Sequence, residues 1–264
     1  MAEGRGLVEA PKGHSTLMHG YANPARFLRL ARLLTAPLLV IGGLICAAVL
    51  IWGLTAAPAE QLQGETVRIL FIHVPTAWLG MGGWSMIALA SLSELVWRHP
   101  LAGIAARAVA VPGAFFALLC LVTGSIWGRP AWGAWWVWDG RLTSMLVLFF
   151  LYCGYIALAD AASRAGQGNT RIAAIFGLVG AVNIPVIHYS VIWWQSLHQP
   201  PSLGASMLSG NSPMAAPFLL GLLTATLGFS LLFGGLVLAR MRAILADQQT
   251  EARLRRRAME HADA

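Results

Sequence analysis

The chain has 264 residues, of which 57% are apolar and only 11% charged, with a formal net charge of +7. A soluble domain carries roughly a quarter charged residues, so a water-soluble globular fold is excluded. Several apolar runs approach the length of about 20 residues that a helix needs to cross a bilayer, and lipid leaves backbone groups no water partners. The expected fold class is therefore an all-α membrane protein with six transmembrane helices.

Residues 1–35 read as a leader carrying Arg5, Lys12, Arg26, Arg29 and Arg32, with His14 and His19 as solvated side chains. It lacks a short apolar core followed by a cleavage site, so no cleaved secretory signal is expected. The first span is predicted over Ala36–Leu54, and the polar connection AAPAEQLQGETVR follows. A second span, Ile69–Val96, has His73 and Pro75 in its first turns. The third covers Val109–Ile126 and the fourth Leu142–Ala159. The fifth, Ile172–Ile192, contains Asn183, Pro185 and His188; the connection WWQSLHQPPSLGASMLSGNSP then brings His198. A last span, Met214–Ala239, leads into a basic tail, 240–264. Residues 36–239 form one six-helix domain, with no internal repeat and no second domain.

Six spans put both termini on one side, and charge says which. The leader, the Arg98/Arg107 link, the Arg164/Arg171 link and the tail hold fifteen of the eighteen basic residues. By the positive-inside rule those segments are cytoplasmic. The opposite ends, with only Arg68, Arg129 and Arg141, face the periplasm if the membrane is a bacterial inner membrane. The positive charge thus reports topology and predicts no nucleic-acid partner; the expected surroundings are membrane lipid.

The connection between the third and fourth spans, residues 127–143, reads WGRPAWGAWWVWDGRLT. It holds Trp127, Trp132, Trp135, Trp136 and Trp138, five of the eleven tryptophans. Gly128, Pro130 and Gly133 are expected to interrupt any helix in its first half. Burying a charge at the bilayer centre costs about 2.5–3.5 kcal/mol, so Arg129, Asp139 and Arg141 place the segment at a membrane surface. Such tryptophans can be an aromatic belt anchoring helix ends. Five indoles concentrated in one connection beside two arginines also suit a flat ligand with anionic groups, and composition leaves both readings open.

His73 and His198 fall on the same side as this segment. Each alone reads as a structural, hydrogen-bonded histidine. Together, beside an aromatic wall, they could hold a planar metal macrocycle by both axial positions. Arg129 and Arg141 offer planar forks to carboxylates, Asp139 is expected to pair with one of them, and His188, deeper in its span, suits an interhelical hydrogen bond. Cys46, Cys120 and Cys153 lie within spans and form no CxxC or CxxCH, which excludes covalent haem attachment of the usual kind. No phosphate-binding Walker loop is present, so ATP dependence would come from a partner.

The segment WGRPAWGAWWVWDGRLTS, with FIHVPTAW, LVTGSIWG and NIPVIHYSVIWWQSLHQP, resembles the haem exporter protein C (CcmC) family of system I cytochrome c maturation. The resemblance covers about Val67 to Pro200, and the N-terminal leader and C-terminal tail carry no signature. Ile192 stands where an acidic residue is expected before the paired tryptophans. The resemblance implies six transmembrane helices and a periplasmic tryptophan-rich (WWD) segment that binds haem b non-covalently and transiently. It implies His73 and His198 as axial iron ligands, with Trp127, Trp132, Trp135, Trp136, Trp138, Asp139, Arg129 and Arg141 around the macrocycle and no catalytic residue. The implied partners are a periplasmic haem chaperone, an ABC-type ATPase complex and a small membrane subunit. Two other classes compete. A haem lyase attaching haem to apocytochrome shares the tryptophan motif but belongs to longer chains with more spans. A solute transporter usually shows inverted repeats and polar midplane residues, for which only Asn183 and His188 are candidates.

Overall fold

The computed structural model describes residues 23–164, 171–194, 196–198 and 214–262. The leader up to residue 22, with His14 and His19, and most of the connection after His198 lie outside the described residues. Helix α1 spans Pro24–Thr55; a short 3-10 helix, Glu65–Ile69, runs straight into α2, Leu70–Trp97. Then come α3 (Ala102–Trp132), α4 (Gly140–Arg164), α5 (Arg171–Gly180), α6 (Asn183–Trp193) and α7 (Ala216–Ala262). With α5 and α6 counted as one interrupted segment, six helices are long and apolar enough to cross a membrane. No strand occurs among the described residues, only a single β-bridge between Glu60 and Gly64. The expectation of an all-α protein with six transmembrane helices holds.

The helices overrun the apolar stretches read from sequence. Helix α1 begins at Pro24, where Asn23 Oδ1 accepts the Ala25 N–H at 2.9 Å. A side-chain cap followed by proline at the first helical position is a strong start signal, and it draws Arg26, Arg29 and Arg32 into the helix. At the other end α7 does not stop at Ala239 but continues to Ala262, with every residue from Ala246 onward exposed. Helix α3 likewise passes through Gly128 and Pro130 and ends at Trp132, against the expected interruption. Proline lacks one N–H, a loss of one bond that a long, packed helix tolerates near its end. The chain leaves the helix at Gly133, whose φ of 78° suits glycine and whose N–H bonds the Arg129 carbonyl at 3.0 Å.

Small residues set the packing distances. A Cβ at Gly42 of α1 would lie 2.6 Å from the Leu232 nitrogen of α7, so the two backbones touch directly there. Helices α2 and α3 pack along their length, with Tyr152 of α4 inserted between them; its hydroxyl donates to the Gly80 carbonyl at 2.7 Å. Trp84 of α2 is fully buried against Tyr152, Tyr155 and Phe176. It also explains why α5 and α6 are separate. The Trp84 indole N–H takes the Gly177 carbonyl at 3.1 Å. Ala181 and Val182 then bond back three residues, to Leu178 and Val179. Pro185 has no N–H to restore the ladder, so the segment breaks at 181–182. Helices α4 and α7 both pack beside α3 without sharing an extensive interface among the described residues, which leaves a cleft between them floored by α3.

Candidate functional site: two imidazoles at the tryptophan end

His73 sits in the first turn of α2, on a helix held firmly against α3. Its Nδ1 lies 3.1 Å from the Cys120 carbonyl and 3.1 Å from Thr123 Oγ1, both on α3. A carbonyl only accepts, and Thr123 already donates its hydroxyl proton to the Leu119 carbonyl at 2.7 Å. Nδ1 therefore carries the proton, and Nε2 keeps its lone pair. Trp127 packs edge-on to the imidazole, with centroids 5.7 Å apart, and its own N–H is anchored by Gln63 Oε1 at 2.9 Å. Gly124 lies under the ring: a Cβ there would come within 2.8 Å of Cε1.

His198 reaches the same end from the connection after α6. Its Nδ1 is 3.2 Å from Asp139 Oδ2. Asp139 is itself fixed by the Leu142 N–H on Oδ1 at 2.7 Å and the Ser196 hydroxyl on Oδ2 at 2.7 Å. The carboxylate is an acceptor, so His198 also bears its proton on Nδ1 and leaves Nε2 free. A carboxylate behind an imidazole both orients the ring and makes its far nitrogen more basic. Trp132 stands edge-on to His198 at 4.8 Å. His198 also senses the Arg141 guanidinium.

Burial pushes the His198 pKa below the ordinary 6.5; the hydrogen bond and charge of Asp139 oppose this without reversing it. Burial would raise the Asp139 carboxyl, but the Leu142 N–H, the Ser196 hydroxyl and His198 outweigh it and hold the carboxyl below 3.8. The pair is thus a carboxylate against a neutral imidazole at neutral pH.

The expected partnership of Asp139 with an arginine does not form. Arg129 donates to the Gly133 carbonyl and so closes the end of α3, while Arg141 donates to the His188 carbonyl at 3.3 Å. Proximity in sequence suggested the arginines; the partner that wins lies 59 positions away because the connection folds back over the start of α4. His188 contributes its backbone carbonyl to an interhelical bond, and its exposed ring packs on Tyr189 at 4.9 Å. Trp136 and Trp138 meet edge-on at 5.5 Å, and Trp135 and Trp138 are largely exposed. The Trp136 indole nitrogen is buried with no acceptor among the described residues. Sequence reasoning missed Gln63, Thr123, Gly124 and Ser196, none of which belongs to a residue type that announces chemistry.

No group of three or more His, Cys, Asp or Glu gathers in metal-holding geometry among the described residues. Two imidazoles at one end of the bundle, each against an indole, with guanidinium and indole donors nearby, suit instead an iron macrocycle that brings its own equatorial ligands. Comparison with known proteins agrees in kind. The family model described as Heme exporter protein C matches residues 17–256. A Heme exporter protein C of Bradyrhizobium diazoefficiens is 50% identical over 84% of this chain and 82% of its own. Those of Haemophilus influenzae and Escherichia coli are 42% and 41% identical, over 89% and 86% of this chain and 94% and 90% of theirs. The chain belongs to the Heme exporter protein C (CcmC) family.

Proposed function

We propose that this protein is a multi-pass component of the bacterial inner membrane that handles haem for c-type cytochrome maturation. It binds haem b non-covalently between His73 and His198 at its periplasmic end and yields it to a periplasmic haem chaperone. Membership of the family supports the haem-handling role. The observation that carries the site is what stands behind each imidazole: the Cys120 carbonyl lies 3.1 Å from His73 Nδ1 and the Asp139 carboxylate 3.2 Å from His198 Nδ1, which assigns the proton to Nδ1 and the lone pair to Nε2 on both rings. Two imidazoles fill both axial positions and leave iron no open site for oxygen, which suits a carrier of cargo.

The remaining side chains have separable parts to play. Asp139 orients His198, and Gly124 leaves room for His73. Trp127 and Trp132 brace the rings, while Trp135, Trp136 and Trp138 offer indole faces to the porphyrin. Arg141 and the Trp136 N–H, which has no acceptor among the described residues, are donors for a propionate; Arg129, spent on the end of α3, is the weaker candidate. An exposed aromatic surface lets a second protein approach a bound porphyrin, which is what transfer requires. The cytoplasmic placement of both termini rests on the basic residues of the Arg-rich ends. Energy for release is left to an ABC-type ATPase complex, with a small membrane subunit as a further partner.

Haem spectra of purified variants test this reading. His73→Ala and His198→Ala are each expected to lower haem per protein and change the low-spin spectrum, whereas His188→Ala leaves the spectrum as it is. An unaltered spectrum in the double His73→Ala, His198→Ala variant would exclude this pair as ligands.

A further inference from the structure

At the end of the bundle opposite the histidines, the cleft between α4 and α7 holds a cavity of about 90 Å³. It is lined by Arg107 and Val111 of α3, Ile156 and Asp160 of α4, and Arg240 and Ile244 of α7. Two guanidinium groups from different helices thus converge on one small space. Neither is well satisfied there. Arg107 approaches Asp160 only to 4.0 Å, and Asp160 is half exposed. The Arg240 Nε is buried and has no hydrogen-bond partner among the described residues. A buried charged donor without an acceptor is costly, so this N–H favours an acceptor that the chain itself does not provide.

The space is large enough for a tetrahedral oxyanion and far too small for a macrocycle. Its surroundings identify the source of that anion. From the cavity, Val111, Phe115, Leu118 and Val122 run along α3 as exposed apolar side chains at helical spacing, one turn after another. An anion with an apolar tail could lay its head between the arginines and its chain along this stripe. Basic pockets between transmembrane helices hold lipid head groups in this way. We propose that Arg107 and Arg240 form a binding site for the phosphate of an anionic phospholipid. Asp160 is the one acid lining the cavity; it competes with the phosphate for Arg107.

The test uses the full chain purified in detergent, titrated separately with dioleoylphosphatidylglycerol, dioleoylphosphatidylcholine and inorganic phosphate. Bound lipid per protein is counted by native mass spectrometry and compared with the thermal midpoint. Phosphatidylglycerol should bind more tightly than phosphatidylcholine and raise the midpoint. Arg107→Gln with Arg240→Gln should weaken that binding about tenfold or more, since two charge-assisted contacts are lost. Arg257→Gln, an exposed arginine on the projecting part of α7, should leave it unchanged. Asp160→Asn should tighten it, and this sign decides the matter even if the double arginine variant fails to fold. Equal losses in Arg257→Gln, or weaker binding in Asp160→Asn, would overturn the site. Equal protection by inorganic phosphate would overturn the lipid as its ligand.

Discussion

Asp139 acts on His198 in two opposed ways, and they can be separated by pH. Its carboxylate fixes the ring with Nε2 outward, and loss of such an outer partner typically lowers metal affinity about 10–100-fold. It also raises the His198 pKa, which burial lowers. Asp139→Asn is therefore expected to weaken haem binding at pH 7 while moving proton uptake by His198 of the haem-free protein to still lower pH. A merely structural Asp139 would not shift both in that combination; a haem titration at pH 7 and an NMR pH titration of the imidazole read the difference. For the unaltered protein, the His198 side of the site stays competent below pH 6.5, because its proton is taken up only at a pKa lower than that. The stability consequence has the same sign. Both depressed groups contribute stability that is complete above their unfolded values, near 6.5 for His198 and 3.8 for Asp139. That contribution is lost as pH falls below each of them. Gly124→Ala is a sharper steric probe: the new methyl group must displace the His73 ring, so haem binding falls although no polar contact is removed.

At the scale of the helices, the contact between α1 and α7 depends on missing side chains. Gly42→Leu places several carbons where the α7 backbone already stands, and overpacking of this kind typically costs about 1–3 kcal/mol. A lowered thermal midpoint with an unchanged spectrum of bound haem is expected, because the seam is remote from the histidines. Apolar run length made the six spans legible in the sequence, and the positions of His73, His198 and the tryptophans at one end followed from it. The ends of the helices were not legible in the same way. Hydropathy reports where lipid begins, whereas α1 and α7 continue because capping and helix propensity ignore that boundary. The break between α5 and α6 was hidden for another reason: its cause, the Trp84 indole, lies 93 positions from the carbonyl it captures.

The whole molecule has two chemically distinct ends joined by an apolar bundle. One carries imidazoles, a carboxylate and indoles; the other carries most of the basic residues. The identity of the candidate ligands could be read from residue type and side, but Asp139's partner could not, since only the folded connection brings residue 198 over the start of α4. Topology follows from the same polarity. Cysteines at Ala131 and Ala161, both exposed and at opposite ends, should differ in reaction with an impermeant thiol reagent added to whole cells. Protection of Ala131→Cys together with labelling of Ala161→Cys, with the outer membrane permeabilised, would invert the proposed orientation.

The interruption at 181–182 bears on the order of events when a cargo departs. His73 is carried by an unbroken helix packed along α3, whereas His198 follows a half-helix joined through the break at 181–182 and, among the described residues, is held by hydrogen bonds with Asp139 and Ser196 and by the edge of Trp132. On the proposed function, a macrocycle gripped from both sides exits through the weaker grip. The off-rate should accordingly be governed by His198, whose bond opens first, while His73 keeps the iron until the receiver has arrived. Asn at position 139 would then speed dissociation in stopped-flow capture far more than it slows association. Gly124→Ala, acting on the firmer side, would chiefly reduce the association rate.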